Sequence, residues 1–226
     1  MGVDIIGGSR HYNRDRYDSK LEKEGQLAFK INRTMKISLM SVIVVLLLVG
    51  AGTVSLLFMA KGAANDFRAD ATQQLNNVID GKDSGAAVEL RSVWFGRTLS
   101  SDYRKVDSLQ GEYQKLLVSL KNYVVTLDTH NQLVGKYNSG LKGEDVLNGD
   151  FLKLTNKYRD LIASKFPDET ERITAMDDLV KAMAGSSDFD SISSSLAGVI
   201  SDNDDWLNQV RDDLNSQIAA FQKKIN

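Results

Sequence analysis

The sequence is poor in residues on which many small folds and active sites depend: among 226 residues there is no cysteine, one proline and two histidines. Without cysteine the chain can form no disulfide bond, and it offers no thiol nucleophile and no zinc–thiolate site. Because Pro167 is the only proline, and because Leu, Lys and Gln are frequent, the composition favours an all-α fold.

Motifs for chemistry are equally scarce. None of the residues three or four positions from His130 is a histidine, cysteine or carboxylate. We therefore interpret His130 as a histidine of the core or its boundary rather than as a metal ligand or pH switch. The acidic run 202–205 lacks the glycine and distal glutamate of an EF-hand, and we interpret it as a helix start. We predict no catalytic residue, no cofactor and no metal site, and we expect that the protein is not an enzyme.

One long apolar run is present instead. Residues 37–60 carry no charge over 24 positions, and Lys36 and Lys61 flank them. As a helix they would extend about 36 Å, enough to cross a hydrocarbon core of about 30 Å. The alternatives are a buried helix of a soluble protein and a cleaved signal peptide, whose apolar region is shorter and closer to the N-terminus. We predict an uncleaved, single-pass transmembrane helix.

The distribution of positive charge predicts the orientation. Residues 1–36 contain eight Lys or Arg and five Asp or Glu, whereas few basic residues follow the apolar run closely. Positive charge stays on the cytoplasmic side, so we expect residues 1–36 inside and residues 61–226 outside. We predict membrane-interface positions for Lys30, Arg33, Lys36 and Lys61. The outer part carries 20 basic and 25 acidic residues, which argues against nucleic acid as a partner.

Apolar spacing predicts long helices after the membrane segment. The membrane helix should continue to about residue 80, where Gly81 stops it, and a structured loop should complete the segment 61–100. From Val106 to Tyr137 apolar residues alternate steps of three and four, which is the pattern of a helix with a coiled-coil-like seam. We predict Ser101 as its N-cap and Gly140 as its end.

Two further helical stretches follow in the predicted domain 101–226. With the first they cover residues 101–139, 145–184 and 188–225, which are similar in length and joined by short connections. We predict a break at Pro167, a new cap at Asp168 and another at Ser201. Such stretches are expected to pack as an elongated, antiparallel, extracytoplasmic helical bundle, to which the extension of the membrane helix contributes.

Trp94 and Phe95 are the candidate partner-binding residues. They lie together in the predicted loop, where an aromatic pair either binds a partner or caps the end of a bundle. Our leading hypothesis is a membrane-anchored scaffold or interaction protein of the cell envelope. Its expected partners are the lipid bilayer and either an envelope protein or a second copy of the chain.

A sensory or ligand-binding module is the alternative. The architecture resembles the helical periplasmic domains of chemoreceptors, but residues 1–36 hold no signalling domain, so any signal would pass through a partner inside. An apolar pocket would favour this alternative, and convergent polar groups around His130 would favour an enzyme.

Overall fold

The computed structural model describes the backbone of residues 14–82, 86–140, 149–185 and 188–226, and side chains from residue 38 onward. Every regular element in these ranges is a helix: α1 (Arg14–Ile79), α2 (Gly96–Leu99), α3 (Ser101–Asn138), α4 (Asp150–Lys165), α5 (Thr170–Gly185) and α6 (Phe189–Ile225). The predicted all-α fold class is therefore confirmed for the part of the chain that the structure describes.

The apolar run lies within α1, a helix of 66 residues. From Ser38 to Ile79 this helix is long and apolar enough to cross a membrane, and it is the one such helix among the described residues. Leu46, Leu47 and Leu48 are between 64% and 68% exposed. Consecutive exposed leucines are costly in water and are typical of a helix surrounded by lipid.

The chain divides into two compact units, Met1–Leu56 and Leu57–Asn226. In the second unit α1 ends at Ile79, and Gly81 follows with a φ of 68°. The Gly81 N–H donates to the carbonyl of Val78 at 3.0 Å. Glycine adopts this left-handed conformation without steric cost, so the predicted helix stop is confirmed.

The core of the second unit draws on α1 and on all the longer helices. In α3 the ten predicted seam positions from Val106 to Tyr137 are buried or half-buried, which confirms the seam. Helix α3 packs against α4 and α6, and α5 packs against α4 and α6. The largest fully buried side chains are Phe67, Leu75, Tyr113, Leu120, Leu133, Phe151, Tyr158, Ile162, Met176, Met183, Leu196 and Phe221.

Polar contacts give the directions of α3 and α6. Glu112 in α3 accepts a hydrogen bond from Lys224 at 2.6 Å, close to the end of α6. Further along α3, His130 contacts Asp204 at 2.7 Å. Moving along α3 from Glu112 to His130, the contacted residue in α6 moves back from Lys224 to Asp204. These two helices therefore run in opposite directions.

Helix boundaries differ from the prediction at several points. The N-cap of α3 is Ser100, whose hydroxyl accepts from the N–H of Tyr103, and Ser101 is the first helical residue. The predicted break at Pro167 is confirmed, but α5 begins at Thr170, two residues after the predicted cap Asp168. Residues 145–148 of the predicted second stretch lie outside the described residues.

The predicted cap at Ser201 is wrong. Helix α6 runs unbroken from Phe189 to Ile225, so the acidic run 202–205 lies in its interior. In this position the backbone N–H groups already have partners one turn earlier in the helix, and the acids have no helix end to cap.

Candidate functional site

The segment before α3 is fastened to that helix by one tyrosine. The hydroxyl of Tyr103 donates to the carbonyl of Arg91 at 3.1 Å and accepts from the N–H of Val93 at 3.3 Å. Its ring lies against Gly96, where a Cβ atom would come within 3.0 Å of the ring. Glycine at position 96 therefore lets the chain pass close to the ring, and the backbone on either side of residues 94 and 95 is held in place.

The turn itself is strained at Phe95. This residue has φ 58° and ψ 14°, the one non-glycine residue with positive φ in the described backbone. A left-handed conformation costs a residue with a Cβ roughly 1–2 kcal/mol. Hydrogen bonds hold the turn on both sides: Gly96 N–H donates to Val93, and Thr98 and Leu99 N–H donate to the Phe95 carbonyl. Strain held in this way is typical of functional turns.

The turn presents two aromatic side chains to the surroundings. Trp94 is 77% exposed and Phe95 is 57% exposed. Their rings stack with centroids 5.0 Å apart and an interplanar angle of 28°. Adjacent exposed aromatic rings on a constrained backbone are a typical recognition element, because little side-chain freedom is lost on binding. We call Trp94 and Phe95 with this backbone the aromatic turn. That it binds a partner stays a prediction.

Several basic side chains lie on the segments that hold the aromatic turn. Arg91 and Arg104 are exposed, and Arg97, in α2, is 73% exposed. Arg104 donates to the carbonyl of Arg97 at 2.9 Å, and Arg97 also pairs with Asp107. These arginines are more than 30 residues beyond the apolar run in sequence. Arg91 and Arg97 lie three and two residues from the aromatic pair, and the hydrogen bond to Arg97 brings Arg104 to the same segment.

Of the four predicted membrane-interface residues, Lys61 is the one whose side chain lies in the described part of the chain. Lys30, Arg33 and Lys36 belong to α1, but their side chains lie outside the described part of the chain. Lys61 is exposed on α1, next to the fully buried Ala60. Their contact with lipid headgroups stays a prediction.

A second polar cluster surrounds His130, whose ring is fully buried. Its Nε2 lies 2.7 Å from a carboxylate oxygen of Asp204 in α6, and its ring centroid is 5.3 Å from that of Tyr158 in α4. The Nδ1 atom of His130 and the hydroxyl of Tyr158 are buried without a hydrogen-bond partner. Burial raises the pKa of the Tyr158 hydroxyl. The interpretation of His130 as a core histidine agrees with this position, although its partner comes from a distant helix.

Arg172 lies beside this cluster and joins α5 to α6. Its guanidinium donates to Asn203 at 2.9 Å and to the backbone carbonyl of Asp202 at 3.1 Å. The same group lies 4.8 Å above the centre of the Trp206 ring. Beside Arg172 lies a surface groove of about 350 Å³, which is lined mainly by acidic and polar residues and has Trp206 in its wall. Arg172 already supplies the cation that these groups attract, so we interpret the groove as part of the α5–α6 contact.

In the described ranges, no three or more His, Cys, Asp or Glu side chains are grouped so that they could hold a metal ion. Sequence reasoning identified Trp94 and Phe95 but missed Tyr103, which holds them. The usable signal was Gly96, since a glycine beside an aromatic pair indicates close packing of the backbone.

No protein-family model matches the chain, and no curated protein and no solved structure is significantly similar to it.

Proposed function

We propose that the chain is a single-pass membrane protein of the cell envelope that acts as a scaffold or interaction module. Residues 1–36 lie inside, residues 37–60 cross the bilayer, and residues 61–226 form an antiparallel helical bundle outside. Support for the span comes from the exposed leucines of α1, and support for the orientation comes from the basic residues before it. The opposite directions of α3 and α6 support the bundle.

The observation that carries the interaction role is the aromatic turn. Val93 and Gly96, on either side of the aromatic pair, are buried in the unit, and their burial holds the backbone in place. Trp94, between them, is nevertheless 77% exposed. A fold selected for stability alone would place an indole in the core or replace it, because each exposed aromatic ring leaves apolar surface in water. We infer that the turn presents Trp94 and Phe95 to another component of the envelope.

Single-cysteine variants test both parts of the proposal, since the natural chain contains no cysteine. An impermeant maleimide should label Val118→Cys in intact cells, whereas Ser19→Cys should react only after permeabilisation. A benzophenone maleimide on Ser92→Cys, two residues before Trp94, should give photo-adducts in native membranes well above those from Val118→Cys, whose side chain is also exposed.

Mass spectrometry of the adducts then identifies what the turn contacts. Labelling of Ser19→Cys in intact cells would contradict the orientation. Equal photo-adduct yields from positions 92 and 118 would contradict the interaction role, because both positions would then report only random collision.

The alternative functions have weaker support. A sensory module would be favoured by an apolar cavity, whereas the groove beside Arg172 is lined mainly by acidic and polar residues, with Arg172 itself in its wall. An enzyme would be favoured by polar groups that converge on an accessible site. His130 and Tyr158 do converge, but both are fully buried, so their free polar atoms face the core rather than a substrate.

A further inference from the structure

The position of the aromatic turn can be compared with that of α1 inside the unit Leu57–Asn226. Arg68 in α1 donates to the carbonyl of Ile225 at 2.7 Å, and Gln222, earlier in α6, donates to the side-chain oxygen of Asn76, later in α1, at 3.4 Å. Helix α1 therefore runs opposite to α6. Since α3 also runs opposite to α6, the last turns of α1 and the helix α3 run in the same direction.

Aromatic contacts give the register between these two parallel segments. The ring of Phe67 packs edge-on against the ring of Tyr113, with centroids 5.5 Å apart. Leu57 lies ten residues before Phe67, and Tyr103 lies ten residues before Tyr113. At about 1.5 Å per residue both lie about 15 Å back along their helices. The guanidinium of Arg68 also lies 3.6 Å from the carboxylate of Asp102, the residue before Tyr103, and this limits how far back Tyr103 can lie. Tyr103, and the aromatic turn that it holds, thus lie beside the part of α1 between Leu57 and Arg68.

Leu57 belongs to the apolar stretch of α1. Phe58 and Met59 follow it with 68% and 50% exposure, and Lys61 is the first charged residue after the stretch. In a helix that crosses a bilayer, the first charged residue after the apolar stretch marks the headgroup region. Lys61 falls within the part of α1, from Leu57 to Arg68, beside which the aromatic turn lies.

The chemistry of the turn fits a lipid surface. Trp is favoured at the membrane interface, where its ring contacts acyl chains and its N–H reaches headgroups and water. Arg91 and Arg97 flank the turn in sequence, and Arg104 donates to the carbonyl of Arg97; the guanidinium group is well shaped to bind lipid phosphate groups.

We propose that Trp94 and Phe95 insert into the outer interface of the bilayer that α1 crosses, so that the outer unit contacts lipid at a second point. This inference rests on the proposed membrane span and names the partner of the aromatic turn. Two separate contacts would restrict how the outer unit tilts and rotates, and this explains why the turn is held rigidly despite its strained backbone.

Tryptophan fluorescence of the full chain in vesicles tests the proposal. The chain has two tryptophans, Trp94 and Trp206, and the second is only 5% exposed inside the unit. In Trp206→Phe, emission should be blue-shifted and strongly quenched when phosphatidylcholine is replaced by phosphatidylcholine brominated near the headgroup end of its chains. The matched variant Trp94→Phe reports on Trp206 and should be quenched much less.

The fluorescence of Trp94 and its quenching can also be obtained by subtracting the signal of Trp94→Phe from that of the natural chain. The result therefore does not depend on the folding of Trp206→Phe. Equal quenching of both tryptophans, or emission of Trp94 that brominated lipid leaves unchanged, would overturn the lipid contact. A polypeptide adduct from residue 92 would then keep the proposed interaction role with a protein partner. Absence of both lipid and protein adducts would remove the interaction role as well.

Discussion

Removing one hydroxyl oxygen from Tyr103 and from Tyr158 gives two variants with the same chemical change and different expected results. Both side chains are buried. The hydroxyl of Tyr103 makes two hydrogen bonds, to the carbonyl of Arg91 and from the N–H of Val93. Each such bond contributes about 0.5–1.5 kcal/mol net, so Tyr103→Phe should lower the free energy of unfolding by about 1–3 kcal/mol.

The hydroxyl of Tyr158 has no hydrogen-bond partner in the described structure. A buried polar group without a partner costs folding free energy, because its hydrogen bonds to water are lost without replacement. Tyr158→Phe removes that group and keeps the ring that packs beside His130. We expect no loss of stability from Tyr158→Phe, and a gain of up to about 1 kcal/mol.

Thermal unfolding of the full chain in detergent micelles, followed by far-UV circular dichroism, measures both effects. For a unit of this size 1 kcal/mol corresponds to roughly 2–4 °C in Tm. Tyr103→Phe should therefore lower Tm by about 2–12 °C, and Tyr158→Phe should leave it unchanged or raise it. Equal losses in the two variants, or no loss in Tyr103→Phe, would refute the argument from hydrogen-bond satisfaction.

Two further pairs of variants test the packing of the turn and the buried histidine. Gly96→Ala should destabilise the unit by about 1–3 kcal/mol, because its Cβ would meet the ring of Tyr103 at 3.0 Å, whereas Gly111→Ala has open space in α3 and should stabilise by about 0.5–1 kcal/mol. Asp204→Ala removes the partner of His130 and should cost roughly 1–3 kcal/mol, whereas the exposed neighbour Asp205→Ala should stay within about 0.5 kcal/mol. The same unfolding assay measures both pairs; similar Tm values within either pair would contradict the reasoning.

Local patterns were sufficient for the helices and for the candidate membrane span. The alternation of apolar residues from Val106 to Tyr137 predicted a seam that the fold buries, and Gly81 and Pro167 predicted where helices end. These features depend on the periodicity of a helix and on the backbone preferences of glycine and proline, so they can be read from neighbouring residues alone. The prediction failed at the acidic run 202–205, where packing of α6 along its whole length outweighs the local preference of acids for a helix start.

What the sequence determined by itself is therefore a set of helices, one of them apolar enough to cross a membrane, and an aromatic pair between two of them. Only the tertiary structure decided that Tyr103 holds this pair in a strained, exposed turn and that Asp204 reaches His130 across 74 residues of chain. It also decided where the turn lies along α1, beside the part from Leu57 to Arg68, through the contacts of Phe67 with Tyr113 and of Arg68 with Asp102. Such contacts join residues far apart in the chain, and their register depends on how whole helices pack rather than on local preferences.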